Sequence, residues 1–471
     1  MTPDSSPPLS ERTDVRGRRV TVMGLGRFGG QLAAIRYLLA RDARVVVTDS
    51  AGEAKLADSL RELDGLPLTF HLGGHVESDF TETDLVVVSP AVPPTNPFLL
   101  KAHAAGVRVV TEIELTLERI YARNPEQTVI GVTGTKGKST TTALLGRMLA
   151  STFPTHVGGN IGRPLLNQLD TIGAGDLVLL ELSSFMLHYL GRRRFRPHVA
   201  VVTLVSADHL DWHGSLEAYI DAKRQLVRYQ RPTDHAVLCA TSEVARGFAH
   251  DTAAQVHLYG PPDPAERIPM RLPGEHNQLN AAGALRAATL LGVPRQQALA
   301  AVADFGGLPH RLELVHESGG VRYYNDSIAT VPEAAVAALR SFPPDTVLQI
   351  AGGSDKGLDL SPLVAALRQQ ARAVLCIGTL GPKLAAEVGP KAELCQTLDV
   401  AVSRARQLAR PGDVVLLSPG CASYDQFPHF EARGDAFRRL VCGGGPEVAP
   451  PAAAVGPTGA AATGRERSPD R

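Results

Sequence analysis

Ten residues, Gly131-Val-Thr-Gly134-Thr135-Lys-Gly137-Lys138-Ser139-Thr140, restrict the fold of this chain more than any other stretch. They follow an apolar β-type run, Thr128-Val-Ile130, and open a helical segment, Thr141 to Leu149. A strand that passes through glycine into a helix predicts a β–α unit of a parallel sheet, with its loop at the carboxyl end of the strands. Glycine lets the backbone wrap phosphate oxygens, so that successive N–H groups and the helix N-terminus face the anion. Lys138 then reaches the β- and γ-phosphates, and the Ser139 or Thr140 hydroxyl ligates Mg²⁺. The order strand, loop, Gly-Lys-Ser and helix points to ATP. The strict spacing of such a loop would place glycine where Val132 stands, so this one is a variant.

The chain has 471 residues, enough for two to four domains. Lysine plus arginine (48) equals aspartate plus glutamate (48), so no global field favours nucleic acid or an acidic membrane. No run approaches the ~18 apolar residues of a membrane span, and Met1 to Arg19 lacks the apolar stretch of a secretory signal. The five cysteines (239, 376, 395, 421, 442) form no CxxC pair, which fits a reducing cytosol and a cytoplasmic protein. Cys421 has no evident general base and reads as a packed small residue.

Apolar β-type runs alternate with helical stretches at Arg19–Met23, Arg44–Thr48, Leu85–Ser89, Arg108–Val110, Val129–Val132, Leu177–Leu182, Val199–Val205, Val347–Ile350, Val374–Ile377 and Val414–Leu417. That alternation predicts an α/β fold of mostly parallel sheets covered by helices. Breaks at Arg123-Asn124-Pro125 and Gly306-Gly307-Leu308-Pro309 divide it into 17–122, 123–308 and 309–442, between a disordered leader (1–16) and a disordered Gly/Pro/Ala-rich tail (443–471).

The first block opens Gly24-Leu25-Gly26-Arg-Phe-Gly29 between a strand and a helix, and its second strand ends in Asp49, where a ribose-binding carboxylate would stand. NAD, another nucleotide or a structural tight turn all fit that short fingerprint. Ser89-Pro90-Ala91-Val92-Pro93 could present backbone N–H groups to the same ligand. In the second block Glu181 ends a strand and could bind Mg²⁺, or simply be solvated. Asp208-His209-Leu-Asp211-Trp212-His213 matches no ordinary zinc spacing, so it serves Mg²⁺ and phosphate or is a turn capped by Asp208. Lys223 lies in a helical stretch, where lysines are normally solvated. Asn280 reaches adenine or phosphate, or belongs to a helix-capping network. Arg311, beside the Gly/Pro break, is placed to clamp a γ-phosphate.

These landmarks in this order resemble the Mur ligase family of peptidoglycan synthesis. They include GVTGTKGKST (131–140), GGNIG (158–162), ELSSF (181–185), DHLD (208–211), GEHNQLN (274–280), GLPHR (307–311), NDSIAT (325–330) and LSPGCASYDQF (417–427). The resemblance implies three domains: a Rossmann-like N-terminal domain, a P-loop-type central ATPase and a Rossmann-like C-terminal domain that closes on the site. It implies ATP-dependent ligation of D-glutamate to UDP-N-acetylmuramoyl-L-alanine by a monomer, through an acyl phosphate. Gly24, Leu25, Gly26, Thr48, Asp49, Ser89 and Ala91 would then hold the UDP-sugar, and Asn160, Ser183 and His209 the sugar–peptide arm. Gly134, Thr135, Gly137, Lys138, Ser139, Thr140, Asn280, Arg311 and Asp326 would hold ATP. Ser139, Glu181, His209 and a carbamylated Lys223 would surround Mg²⁺, and Thr330, Lys356, Ser423, Tyr424 and Phe430 would form the glutamate pocket. Lys138, Glu181, His209, Lys223 and Arg311 would carry the catalysis.

Two residues depart from the family pattern. Ile328 stands where many members have a lysine that helps bind the glutamate carboxylate, and Met186 replaces a common glutamine. Ligation of L-glutamate to the same acceptor is the alternative that these departures leave open. An NAD-dependent oxidoreductase would leave the phosphate loop and NDSIAT unexplained. A non-catalytic nucleotide-sugar sensor would not need Lys138, Glu181, Lys223 and Arg311 intact.

Overall fold

The computed structural model describes residue 9 and residues 13–26, 29–162 and 164–443. Three sheets follow one another along the chain. The first joins β1 (Arg19–Met23), β2 (Arg44–Asp49), β3 (Leu68–Leu72), β4 (Leu85–Val88) and β5 (Arg108–Val110) in the order β3-β2-β1-β4-β5, all parallel. The reversal of direction between β1 and β4 opens the crevice in which such sheets bind ligands. The second contains β6 (Val129–Thr133), β7 (Thr155–Gly159), β8 (Leu177–Glu181), β9 (Val199–Val202), β10 (His235–Cys239) and β11 (Gln255–Tyr259), ordered β11-β10-β9-β6-β8-β7. The third contains β12 (Glu313–Ser318), β13 (Val321–Asn325), β14 (Val347–Gly352), β15 (Ala371–Ile377), β16 (Ala392–Gln396) and β17 (Val414–Leu417), ordered β12-β13-β17-β14-β15-β16. Only its β12–β13 pair is antiparallel.

The inner strands are buried on both faces, as helix-covered parallel strands must be. Every residue of β6, β8, β9, β14 and β17 is buried. By contacts the described chain divides into two compact units, one holding the first two sheets up to Leu258, the other holding residues 259–443 together with Ser139–Met148.

Several expectations shift. Part of the expected leader is packed: Thr13 donates its N–H to Glu118 Oε2 at 2.8 Å, and Val15 is 2% exposed. Residues 1–8 and 10–12 of that segment and the tail beyond residue 443 lie outside the described residues. The strand expected over Val199–Val205 stops at Val202 because Thr203 and Leu204 turn to hold the phosphate loop. Seven strands were not foreseen: β3, β7, β10, β11, β12, β13 and β16. Five of them are sheet edges.

Candidate active site

The phosphate loop leaves β6 and enters the helix Lys138–Ala150, with Gly137 at the N-cap in a left-handed conformation. Gly134 is required by close approach, since a Cβ there would lie 1.9 Å from Thr203 Oγ1. The N–H groups of Thr135 and Lys136 both donate to the Leu204 carbonyl, at 2.6 and 3.2 Å. The Thr135 hydroxyl lies 2.8 Å from the Tyr219 hydroxyl and donates to the Ser206 carbonyl at 2.9 Å. Thr135 is therefore committed to shaping the loop. The helix N-terminus that follows, with Ser139 and Thr140 in its first turn, is the kind of backbone that faces an anion. Lys138 Nζ donates to the Thr135 carbonyl at 2.9 Å.

Lys223 is not a solvated helix lysine. It is 1% exposed, its Nζ donates to the Gly134 carbonyl at 2.7 Å, and it sits 4.6 Å from the centre of the Tyr219 ring. Burial, with help from the Lys138 charge, lowers its amine to a pKa of about 6, against weaker opposing pulls from Asp208 and Glu181. Burial thus favours the neutral amine over the ammonium.

Glu181, at the end of β8, is fully buried. Its Oε1 accepts from Asn160 Nδ2 at 2.9 Å, while Oε2 has no hydrogen-bond partner. An orphaned buried carboxylate oxygen is costly unless something binds it. Among the described residues no three His, Cys, Asp or Glu side chains converge as a metal cage. One carboxylate, a hydroxyl, water and substrate phosphate make the donor set of Mg²⁺, and the residues fit that ion. His209 is exposed and adopts a left-handed backbone (φ 50°), an uncommon conformation that functional turns retain. Its N–H bonds the Asp208 carboxylate at 2.9 Å and its ring lies 4.8 Å from that of Phe185. Ser183 caps the helix Ser184–Arg192 by accepting from the Met186 N–H.

In the crevice of the first sheet, Asp49 is turned to the glycine loop. One carboxylate oxygen accepts from the Gly26 N–H at 3.4 Å and the other from Ala51 N–H at 2.8 Å. Gly24 N–H donates to the Thr48 carbonyl and Ser89 N–H to the Met23 carbonyl, so Gly24, Thr48 and Ser89 gather at the ends of β1, β2 and β4. The Thr48 hydroxyl lies 2.8 Å from His75 Nδ1, a neighbour for which the sequence carried no motif.

The other unit holds the remaining candidates. Asn280 Nδ2 donates to Asn277 Oδ1, whose own amide donates to the Pro273 carbonyl, while the N-cap of their helix, Gly274, provides no side-chain cap. Arg311 stands between two residues at positive φ, His310 (60°) and Leu312 (42°). Asp326 is 4% exposed and accepts from Leu312 N–H at 3.1 Å and the Ser418 hydroxyl at 2.7 Å; burial pushes its carboxyl up to about 7. The loops after β13, β14 and β17 meet: Ser354 pairs with Ala422, Lys356 Nζ lies 5.4 Å over the Tyr424 ring, and Gly420 N–H donates to the Ala329 carbonyl. Ser423 is buried, Thr330 is half-buried beside Ile328, and the Phe430 carbonyl accepts the Ser327 hydroxyl. Cys421 is buried with its thiol pushed up to about 11, which fits packing and not nucleophilic attack.

Two residues were missed. Tyr219 holds Thr135 and covers Lys223; its i, i+4 spacing from that lysine was the available signal. Arg433, 1% exposed, binds Ser327 through both hydroxyl and carbonyl and also the Cys421 carbonyl, joining the loops after β13 and β17. No motif marked it.

Three mostly parallel α/β sheets in series, the second carrying a phosphate loop with a buried acid and a buried lysine beside it, define a modular protein of the phosphate-loop nucleotide-binding class. Family models match all three parts: the Mur ligase MurD-like N-terminal domain over residues 18–111, the Mur ligase middle domain over 132–268 and the Mur ligase glutamate ligase domain over 310–421. The chain belongs to the Mur ligase family. It is 43% identical to the UDP-N-acetylmuramoylalanine–D-glutamate ligase of Roseiflexus sp. (strain RS-1), covering 90% of this chain and 98% of that protein. The proteins of the same name from Anaeromyxobacter dehalogenans (42%) and Geobacter metallireducens (40%) are each matched over 91% of this chain and 98% of theirs. Among solved structures, the UDP-N-acetylmuramate-alanine ligase MurC of Thermotoga maritima shares the fold (TM-score 0.58, 19% identity, 90% of this chain and 99% of that one). So does the MurF ligase of Thermotoga maritima in complex with ADP (TM-score 0.55, 18% identity, 91% and 99%).

Proposed function

We propose that this chain ligates D-glutamate to UDP-N-acetylmuramoyl-L-alanine at the expense of ATP, giving ADP and phosphate. One observation carries the reading: the buried Lys223–Glu181 surroundings of the phosphate loop lie in a chain that matches, over 98% of their length, relatives named for that ligation. The alanine carboxylate attacks the γ-phosphorus and ADP leaves. The glutamate amine then attacks the acyl carbon of the acyl phosphate, and phosphate departs.

The residues divide the work. Gly137, Lys138, Ser139 and Thr140 bind the phosphates in a loop that Gly134 and Thr135 shape, with Asn280, Arg311 and Asp326 as further ATP contacts. Lys138 and Arg311 offset charge on the transferring phosphoryl group. Mg²⁺, held by Ser139 and Glu181 with His209 and Lys223 around it, would supply further charge neutralisation. Lys223 adds its neutral amine to CO₂, forming an N–C bond and releasing a proton, so that an anion replaces an amine near Glu181. Gly24, Leu25, Gly26, Thr48, Asp49, Ser89 and Ala91 hold the UDP-sugar; Asn160 and Ser183 hold its peptide arm. Thr330, Lys356, Ser423, Tyr424 and Phe430 receive glutamate. The domains run 17–122, 123–308 and 309–442. The protein acts as a cytoplasmic monomer; no described helix is long and apolar enough to cross a membrane.

The test is incubation with ATP, Mg²⁺ and UDP-N-acetylmuramoyl-L-alanine, separately with D- and L-glutamate, reading phosphate release and product mass. Release that requires both acceptor and D-glutamate, with a product one glutamyl unit heavier, is expected. Turnover of the L-isomer alone overturns the stereochemistry, and turnover of neither overturns the ligase reading.

A further inference from the structure

Two aromatic donors outside the residues assigned above grip one short loop. Tyr189, on the helix Ser184–Arg192, donates its hydroxyl hydrogen to the Val92 carbonyl at 2.9 Å. Trp212, in the turn Leu210–His213, donates Nε1–H to the Ala91 carbonyl at 2.9 Å. The acceptors are consecutive in Ser89-Pro90-Ala91-Val92-Pro93, the turn that follows β4.

That turn is wedged against the first glycine of the glycine loop. A Cβ on Gly24 (φ 83°) would lie 3.0 Å from Ser89 Cβ and 3.4 Å from Val92 Cγ2. Tyr189 comes from the second sheet's layer yet is 3% exposed within the first sheet's core, with Met23, Phe80, Val86, Val88 and Leu99. Trp212 is half-buried, and its bond lies near the surface, where water would satisfy Ala91 equally well. The bond therefore fixes geometry more than it relieves burial. The Trp212 ring lies 4.8 Å from Phe185, and Phe185 lies 4.8 Å from His209. An unbroken chain of contacts thus runs from Gly24 through Ser89–Val92, Trp212 and Phe185 to His209.

We propose that Tyr189 and Trp212 are positioning residues that hold the 89–93 loop in the shape that receives the nucleotide sugar and transmit its occupancy to the His209 turn. This rests on the reading that Gly24–Gly26 and Ser89–Ala91 bind that substrate. Coupling of this kind needs a contiguous packed network, which is present, and a measured response at the far end.

Trp212 is the only tryptophan in the chain, so its emission reports on the contact directly. Calorimetry first measures binding of UDP-N-acetylmuramoyl-L-alanine to the wild type, and tryptophan emission is followed in the same titration. Emission is expected to change saturably with the same midpoint. Tyr189→Phe, which keeps the ring and loses one neutral hydrogen bond, should raise KM for that substrate about three- to ten-fold while leaving KM for ATP in place. Trp212→Phe should do the same. Binding without an emission change, or equal shifts in both KM values, overturns the proposal while leaving the substrate reading intact. Absence of binding to the wild type overturns both.

Discussion

Lys223 offers the sharpest test of the chemistry. A lysine amine of ordinary pKa, 10.5, is free base for only about one part in a thousand at pH 7.5; with a pKa of about 6 it is about 97% free base. Burial in this pocket therefore raises the form that reacts with CO₂ about a thousand-fold. The same Lys138 charge that disfavours an ammonium favours the carbamate anion. With ¹³C-bicarbonate, the wild type should show one carbamate carbon resonance per chain, absent from Lys223→Ala. That variant should lose at least about a hundred-fold in kcat, the scale of one lost electrostatic stabiliser, and acetate should restore part of it by supplying the missing anion. The direction with pH follows from the lowered pKa. The amine is neutral above about 6 and protonated below, so the resonance and the activity that depends on it should fade as pH drops through 6. A Lys223→Ala enzyme that keeps more than a tenth of wild-type kcat, ignores acetate and gives no lost resonance would refute the reasoning.

Lys138→Ala should cost roughly 3–5 kcal/mol of transition-state stabilisation, measured as kcat in a phosphate-release assay; more than a tenth of wild-type kcat would remove Lys138 from the phosphates. Gly134→Ala drives a methyl into Thr203, an overpacking worth about 1–3 kcal/mol or more, and should weaken ATP binding in calorimetry while leaving UDP-sugar affinity in place. Ile328→Lys should lower KM for glutamate, since one charge-assisted hydrogen bond is worth about 1.5–3 kcal/mol, with KM for ATP little altered.

Much of the fold was legible because its central strands are covered on both sides. Val129–Val132 and Val414–Leu417 are continuous runs without a polar residue, and Val20–Met23 is broken only by the buried Thr21, for that reason. Edge strands lack this signature: β3 alternates weakly as Leu-Thr-Phe-His-Leu, and β16 is mostly exposed. β13, Val-Arg-Tyr-Tyr-Asn, is buried but hides its pattern behind Arg322. The phosphate loop was readable because its spacing is the chemistry. Lys223 was not readable from pattern, since periodicity gives its helix face but not how deeply that face is buried or that the Gly134 carbonyl awaits it. Arg433 was invisible for a similar reason: its partners, Ser327 and Cys421, are 106 and 12 residues away.

Three of the acids that the sequence singled out, Asp49 and Glu181 at the ends of β-type runs and Asp326 in NDSIAT, carried nothing on paper to tell their roles apart. Hydrogen bonding separates them. Asp49 spends one oxygen on Gly26 and the other on Ala51, fixing the glycine turn. Asp326 spends its two oxygens on Leu312 and Ser418, which ties the segment after Arg311 to the end of β17 and so limits where that arginine can stand. Glu181 alone keeps a buried oxygen, Oε2, with no protein partner. Leaving it so costs on the order of 1–3 kcal/mol, more for a charged group, and nothing in the local packing requires that cost. A bound cation, or a water held by one, removes it. Of the three, the acid with an unsatisfied oxygen is the one whose surroundings fit Mg²⁺, while the other two are held in place by the loops they bond and present what remains of their carboxylates to the proposed substrates.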